Sequence, residues 1–302
     1  MGRRCFLAGS LKVGVSALAS TALPLYSSLA SAAGGTTLAV ATGRNYRNVV
    51  IDAVDMLGGL GSFVSSGERV AIKPNIGWDR TPELAANTHP IVVKTIAEMC
   101  LDAGAKRITV LDRTCDDARR TYVNSGIKSA VEEIKDSRVR VEYVNMERFV
   151  KIKIPRGIKL EDLEVYRTVL DADKLINVPV AKSHGLTTLT LSMKNLMGVI
   201  GGRRGMIHWE IDQKLADIST VIRPDLIVLD ATRILTRGGP SGGNIKNVKV
   251  LNKVIAGTDP VAIDSYGATL FGIKGTDIGH IATAYKMGLG EINLSKVTVK
   301  GV

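Results

Sequence analysis

The chain has 302 residues, of which 45% are hydrophobic, and this length is enough for one large or two modest domains with a hydrophobic core. The formal net charge is +11, but the basic residues are scattered singly and aromatic residues make up only 4%, which argues against a nucleic-acid-binding protein. The charge favours a small anionic ligand or a polyanionic surface. Basic side chains that only face solvent are the alternative.

The first residues have the pattern of an export signal. Arg3 and Arg4 precede a weakly apolar stretch, which ends in the small residues Ala30-Ser31-Ala32 where a signal peptidase could cleave. Adjacent arginines are the address of the twin-arginine translocation machinery. We therefore predict a twin-arginine signal peptide over residues 1–33 and a periplasmic or extracellular mature protein. An uncleaved membrane anchor is the alternative, although Lys12 interrupts the apolar run.

Removal of this signal takes away Arg3, Arg4 and Lys12 and lowers the net charge from +11 to +8. No later apolar run is long enough to cross a bilayer, so we expect no stable membrane span after processing. The predicted partners are the translocation machinery and a small anionic ligand, with no nucleic acid.

From Thr36 onward, short β-branched runs alternate with longer segments of helical period. This order predicts an α/β fold with mixed or parallel sheets covered by helices, divided into a main domain over residues 36–223 and a smaller lobe over residues 224–302. The predicted strands cover residues 38–42, 69–73, 107–112, 138–144, 151–154, 174–180, 225–230 and 250–256. The predicted helices cover residues 47–57, 90–103 with Thr88 as N-cap, 194–200, 211–222 and a segment after Pro260.

Three of the four histidines follow the ends of predicted strands or the loops beside them. Ligands of open α/β folds bind outside the carboxyl ends of the strands, and imidazole is both an acid–base group and a metal ligand. We therefore expect His184 and His89 to transfer protons and His208 to bind a metal or a proton. Three unrelated surface histidines are the alternative.

Basic side chains accompany these histidines at the predicted strand ends. Lys73, Arg80 and Lys182, together with the amide of Asn75, would bind an anionic substrate. The predicted loop over residues 181–186 carries one of these lysines and leads into the helix predicted over residues 194–200.

Two glycine-rich loops and one lysine are candidates for cofactor binding. Arg203 and Gly239 lie in loops whose backbone N–H groups could hold an anion, although such loops are also ordinary flexible turns. Lys194 is flanked by Met193 and Leu196, and burial would make its amine nucleophilic or able to carry a covalent group. A surface lysine with a buried stem is the alternative.

Several short motifs, taken together, resemble the domain-of-unknown-function 362 family over nearly all of the predicted mature chain. They are Lys73-Pro74-Asn75, Thr88-His89-Pro90, Asn177-Val178-Pro179 with Lys182 and His184, Lys194-Asn195-Leu196-Met197-Gly198, Gly239-Pro240 and the segment from Gly257 to Asp264. Many members of that family are fused to iron–sulfur modules, and this sequence has no iron–sulfur cluster motif. The resemblance implies no particular reaction.

The spacing of His184 and Lys194 is also similar to a segment of the nickel-pincer lactate racemases. That resemblance implies two α/β lobes around a cleft, Lys194 as the tether of a pincer cofactor that holds a divalent metal, His184 in proton transfer and His208 near the metal. Ser192-Met193 stand where that family has a glycine pair, and no histidine lies near Asp112.

These features lead to two main hypotheses, and a nucleic-acid or membrane-surface protein that uses its positive charge is the third reading. The first is an exported enzyme, racemase-like or otherwise metal-dependent, that acts on a small carboxylate-bearing anion. The second is a non-catalytic periplasmic binding protein for a metal or a small anion, which would use the same residues.

Overall fold

The computed structural model describes residues 35–302, so the predicted signal peptide lies outside the described residues. In the described part, ten strands form one mixed sheet and two more form a separate hairpin. The strands are β1 (Thr37–Thr42), β2 (Arg69–Pro74), β3 (Arg107–Asp112), β4 (Val139–Tyr143), β5 (Phe149–Lys153), β6 (Asp162–Tyr166), β7 (Lys174–Val178), β8 (Val180–His184), β9 (Thr188–Thr190), β10 (Leu226–Leu235), β11 (Val248–Gly257) and β12 (Thr298–Gly301).

The large sheet has the strand order β12-β1-β11-β10-β7-β2-β3-β4. Neighbours from β10 through β4 are parallel, whereas β11 is antiparallel to both β10 and β1. The strand β8 also pairs with β10 in parallel and forms a hairpin with β9. The predicted α/β fold with a mixed sheet is confirmed, and several strands end at the same edge of the sheet.

Helices connect the strands and cover the sheet. They are α1 (Tyr46–Asp55), α2 (Pro90–Asp102), α3 (Ala118–Asn124), α4 (Ile127–Glu132), α5 (Arg167–Leu170), α6 (Ser192–Asn195), α7 (Ile211–Val221), α8 (Pro260–Thr269) and α9 (Gly279–Lys286). Alternate residues of β1 belong to different apolar clusters, since Ala39 and Ala41 pack with α1 and α2 whereas Leu38 and Val40 pack with α8 and α9. Because side chains alternate between the faces of a strand, helices cover both faces of the sheet.

The predicted boundary between residues 223 and 224 separates strands that share this sheet. The strand β1 lies between β11 and β12, and β10 pairs with β7. The division into a main domain and a smaller lobe therefore remains a prediction about organisation within one continuous sheet. Within residues 35–302, no helix has the length and hydrophobicity needed to cross a membrane.

Three local predictions differ from the structure. The segment predicted as a loop over residues 181–186 is largely the strand β8, and the helix predicted over residues 194–200 is the short α6 followed by a 3₁₀ turn over Leu196–Val199. The N-cap of α2 is His89, not Thr88. The Thr88 hydroxyl is used elsewhere, because it donates to the Val178 carbonyl and accepts from the backbone N–H of Asn75.

Candidate functional site

A cavity of about 500 Å³ opens at the carboxyl ends of β2, β3 and β8. Within residues 35–302, five basic side chains, two histidines and one carboxylate line it. These are Lys73, Arg113, Lys182, Lys194, Arg204, His184, His208 and Asp112. The cavity therefore lies where an open α/β fold is expected to bind its ligand.

One lysine of the cavity is paired with the carboxylate. The Lys73 ammonium lies 2.8 Å from Asp112 Oδ1, and both side chains are buried. Burial lowers the pKa of Lys73 and raises the pKa of Asp112, and the attraction between the two groups opposes both shifts. The Lys73 ammonium also donates to Asn195 Oδ1 at 3.0 Å. This lysine is thus held at the base of the cavity with its charge balanced.

A second buried lysine has no carboxylate partner among residues 35–302. The Lys182 ammonium donates to Asn75 Oδ1 at 3.0 Å and to the Ala86 carbonyl. Burial is the main cause that lowers its pKa to about 7, and the positive charges of Lys194 and Lys73 act in the same direction. Near neutral pH this amine is therefore divided between its charged and neutral forms, and an anion beside it would favour the charged form.

The third lysine lies in α6. The Lys194 side chain is only 9% exposed, and its Nζ lies 3.0 Å from Met197 Sδ. Burial lowers the pKa of this amine to about 8, and the nearby charges of Arg204 and Lys73 act in the same direction. Lys194 is thus buried and lines the cavity, and its role as a nucleophile or covalent anchor stays a prediction.

Buried polar groups fix the position of α6. The Asp264 carboxylate accepts from the backbone N–H groups of Ser192 at 2.7 Å and Met193 at 3.1 Å. The Asn177 side chain donates to the Ser192 carbonyl at 3.0 Å, and the Asn195 amide donates to Asn177 Oδ1 at 2.8 Å. Because all these groups are buried and satisfied, α6 holds Lys194 rigidly against the cavity.

The two histidines of the cavity face each other with nearly parallel rings, 6.4 Å between centroids. His184 Nδ1 accepts from the backbone N–H groups of Leu186 at 3.1 Å and Thr187 at 3.3 Å, so the ring proton is on Nε2. His208 Nδ1 lies 3.1 Å from the Gly205 carbonyl, which can only accept, so that proton is on Nδ1 and Nε2 has a free lone pair. The neutral rings thus have opposite tautomers.

Burial keeps both rings neutral. It lowers the pKa of His184 to about 3, helped by the charges of Lys194 and Lys182. It also lowers the pKa of His208, and Lys194 adds to this effect. His184 therefore offers an N–H donor, whereas His208 offers a proton acceptor.

The structure brings together seven of the ten predicted site residues. They are Lys73, Asn75, Lys182, His184, Lys194, His208 and Gly239. The other three, His89, Arg80 and Arg203, do not line the cavity. His89 caps α2 through Nδ1 and contacts Tyr46 edge-on at 4.9 Å between centroids. Arg80 donates to the neighbouring Asp79 carbonyl at 2.8 Å.

The sequence predictions assigned no site role to Asp112 or Asn195. Asp112 ends a predicted strand and Asn195 follows Lys194, but the partners of their side chains come from distant segments of the chain. The Arg204 guanidinium donates to the carbonyls of Arg113 and Thr114, which fixes it at the cavity wall.

The donor set does not fit a metal ion held by protein side chains alone. Within the described residues, no group of three His, Cys, Asp or Glu side chains converges as a metal site. Structural and catalytic metal sites generally use three or more such ligands. We therefore derive no step through a metal.

Fold and site together define an α/β protein with a basic cavity at the carboxyl ends of its strands. The chain belongs to the family described as Domain of unknown function (DUF362), which it matches over residues 70–269. It is 27% identical over 244 residues to the thylakoid-associated protein sll1697 of Synechocystis sp., an alignment that covers 78% of this chain and 73% of the relative.

Two solved structures are similar at lower identity. One is the lactate racemase apoprotein from Thermoanaerobacterium thermosaccharolyticum, with 13% identity, a TM-score of 0.49 and coverage of 76% of this chain and 56% of that one. The other is a Thermotoga maritima protein, with 10% identity, a TM-score of 0.48 and coverage of 75% and 59%. The chain thus spans a little more than half of each solved structure.

Proposed function

We propose that this chain is an exported enzyme that binds a small carboxylate-type anion in the cavity and transfers a proton to or from it. The observation that carries the proposal is the charge imbalance of the lining. Asp112 balances Lys73, and within residues 35–302 no carboxylate lies within ion-pair distance of Arg113, Lys182 or Lys194. A buried excess of positive charge is unfavourable without a counter-ion, and a bound carboxylate would provide one.

The two histidines support proton transfer on the bound anion. His208 Nε2 is the free acceptor, and the Nε2–H of His184 is the donor that would stabilise negative charge developing on the opposite side of the ligand. Lys194 would hold the carboxylate or carry a covalent group. A bound anion raises the pKa values of the surrounding basic groups, so the ligand itself would make His208 a stronger base.

The test is hydrogen–deuterium exchange on a ligand. The mature protein is incubated in D₂O with a panel of short hydroxy and keto carboxylates, and loss of ligand C–H signals is followed by proton NMR. We expect exchange on at least one compound, and His208→Gln should lower its rate by about 10²-fold or more. His89→Gln is the matched control, because that ring lies outside the cavity.

The non-catalytic alternative makes a different prediction in the same experiment. Saturable binding of a carboxylate without exchange would identify a binding protein, and the low pKa of His184 favours a purely hydrogen-bonding role for that ring. Absence of both binding and exchange across the panel would contradict the proposal.

Export and covalent modification are tested on protein recovered from the periplasm. We expect an intact mass that corresponds to cleavage after Ala32, and loss of export when Arg3 and Arg4 are both replaced by lysine. The same mass measurement reports a covalent group on Lys194. An unmodified mass would exclude the cofactor-tethered form of the enzyme but not the anion-binding form.

A further inference from the structure

Three apolar side chains at the mouth of the cavity are unusually exposed. Trp209 is 72% exposed, Leu186 is 66% exposed and Met206 is 60% exposed. Leu186 itself lines the cavity, and Met206 and Trp209 flank His208, which also lines it. We call these three residues the mouth surface. Large apolar side chains grouped on loops around an entrance mark an interaction surface.

Two residues of the mouth surface, Leu186 and Met206, lie in short turns that local hydrogen bonds hold in place. Leu186 lies in the turn between β8 and β9, where its N–H donates to His184 Nδ1. The 3₁₀ segment Arg204–His208 carries Met206, whose carbonyl accepts from the Lys214 ammonium at 3.1 Å. Exposed apolar side chains on turns at the rim of a cavity can insert into the boundary of a lipid layer.

Two exposed arginines lie in the loops beside the mouth surface. Arg203 and Arg237 are exposed, and they belong to the loops that also carry the lining residues Arg204 and Gly239. Glu210, the acidic residue beside Trp209, is already paired with Lys159 at 2.7 Å. Exposed apolar side chains with arginines in the same and neighbouring loops match the two layers of an anionic membrane surface, its acyl boundary and its phosphate groups.

We propose that the mouth surface docks this protein on an anionic lipid bilayer, with Trp209 and Leu186 inserted at the headgroup boundary and Arg203 and Arg237 on the phosphates. Trp suits this depth because its ring is apolar and its N–H remains in the polar layer. The cavity would then open onto the membrane surface. This inference goes beyond the proposed function, because docking requires no ligand in the cavity.

The test is co-sedimentation of the mature protein with vesicles. We expect binding to vesicles of phosphatidylcholine and phosphatidylglycerol in about equal parts, weaker binding at high salt, and little binding to phosphatidylcholine alone. Trp209→Ser and Leu186→Ser should each weaken binding by about tenfold. The matched control is Val299→Ser, which removes an exposed apolar side chain from the edge strand β12 and should bind as the parent does.

A second readout follows Trp209 itself. The chain has two tryptophans, so Trp78→Phe leaves Trp209 as the single tryptophan, and its selectively excited emission should shift to the blue on anionic vesicles. Absence of co-sedimentation, or unchanged binding by Trp209→Ser, would overturn the proposal. A dimer that depends on Trp209 without lipid would also overturn it and identify a second copy as the occupant. Carboxylate binding measured without vesicles reports separately on the proposed function.

Discussion

Individual buried lysines give this cavity its character. Lys73 and Lys182 are each about 1% exposed, yet only Lys73 has a carboxylate partner in the described chain. Burying an unpaired ammonium lowers the stability of the fold, and such groups are retained mainly where they act on a ligand. Binding of an anionic ligand thus explains why the chain keeps a buried ammonium that lowers the stability of the fold.

The substitution Lys182→Met tests the free-energy cost of burying this ammonium. The test uses the pH dependence of the free energy of unfolding. Because burial lowers the pKa of Lys182 to about 7, the folded amine is neutral above that pH while the unfolded lysine stays protonated up to its ordinary range. Unfolding then takes up a proton, so the parent should gain stability relative to Lys182→Met as pH rises from about 7 to about 10. The slope is at most about 1.4 kcal/mol per pH unit.

Urea unfolding of the parent and the variant over this pH range gives the required difference. Lys106→Met is the matched control, because it makes the same change at an exposed lysine. If the difference in unfolding free energy between the parent and Lys182→Met stays constant over this pH range, the amine of Lys182 keeps its proton in the folded state.

Only some of the site residues could be identified from the sequence. Lys73, Lys182, His184 and Lys194 were identifiable as polar groups near predicted strand ends. The role of Asp112 was not, because it depends on a partner 39 positions earlier in the chain that only folding brings within 2.8 Å. His89 shows the reverse, since its side chain caps a helix instead of entering the cavity.

The turn after α6 must pass very close to the ion pair between Lys73 and Asp112 at the base of the cavity. A Cβ at Gly198 would overlap Asp112 Oδ1 and lie 2.6 Å from Lys73 Nζ. The Gly198 carbonyl also accepts from the Arg113 N–H at 2.7 Å. Glycine is therefore required there by space, not by backbone conformation.

Gly198→Ala should lower the free energy of unfolding by about 1–3 kcal/mol, because the added methyl group overpacks a buried site. It should also weaken anion binding by displacing the Lys73–Asp112 pair. Gly205→Ala is the matched control, since a Cβ there meets nothing within 4 Å and its stability should change little. Equal stability of the two variants in thermal unfolding would contradict the close approach.

The predicted helices and strands match the structure where local sequence signals agree with the tertiary contacts. Asp259-Pro260 does begin α8, and the Asp259 side chain accepts from the Ala262 N–H at 2.9 Å as an N-cap. The strand β8 was missed because its alternation includes Lys182, whose burial is possible only through long-range partners. Polar residues in a buried strand look like a loop when those partners are unknown.

The mixed sheet brings the segments of the site together. Parallel pairing of β2, β3 and β7 carries the carboxyl ends of the strands to one edge, and β8 pairs alongside β10 to add His184. Segments around residues 73, 112, 184, 194 and 208 thereby meet in one cavity. The sheet order was not predictable from strand patterns, because pairing of distant strands leaves no local signature.

Proton-linked binding of an anion tests directly whether the buried lysines of the cavity bind a carboxylate. The tightest-binding carboxylate of the panel is titrated calorimetrically between about pH 6 and pH 9, in two buffers with different ionisation enthalpies. Because the pKa of Lys182 is lowered to about 7 and that of Lys194 to about 8, binding should take up protons, and affinity should fall as pH rises through this range. Each proton taken up changes the affinity by at most about tenfold per pH unit. Affinity that does not change with pH, or binding without proton uptake, would contradict the account.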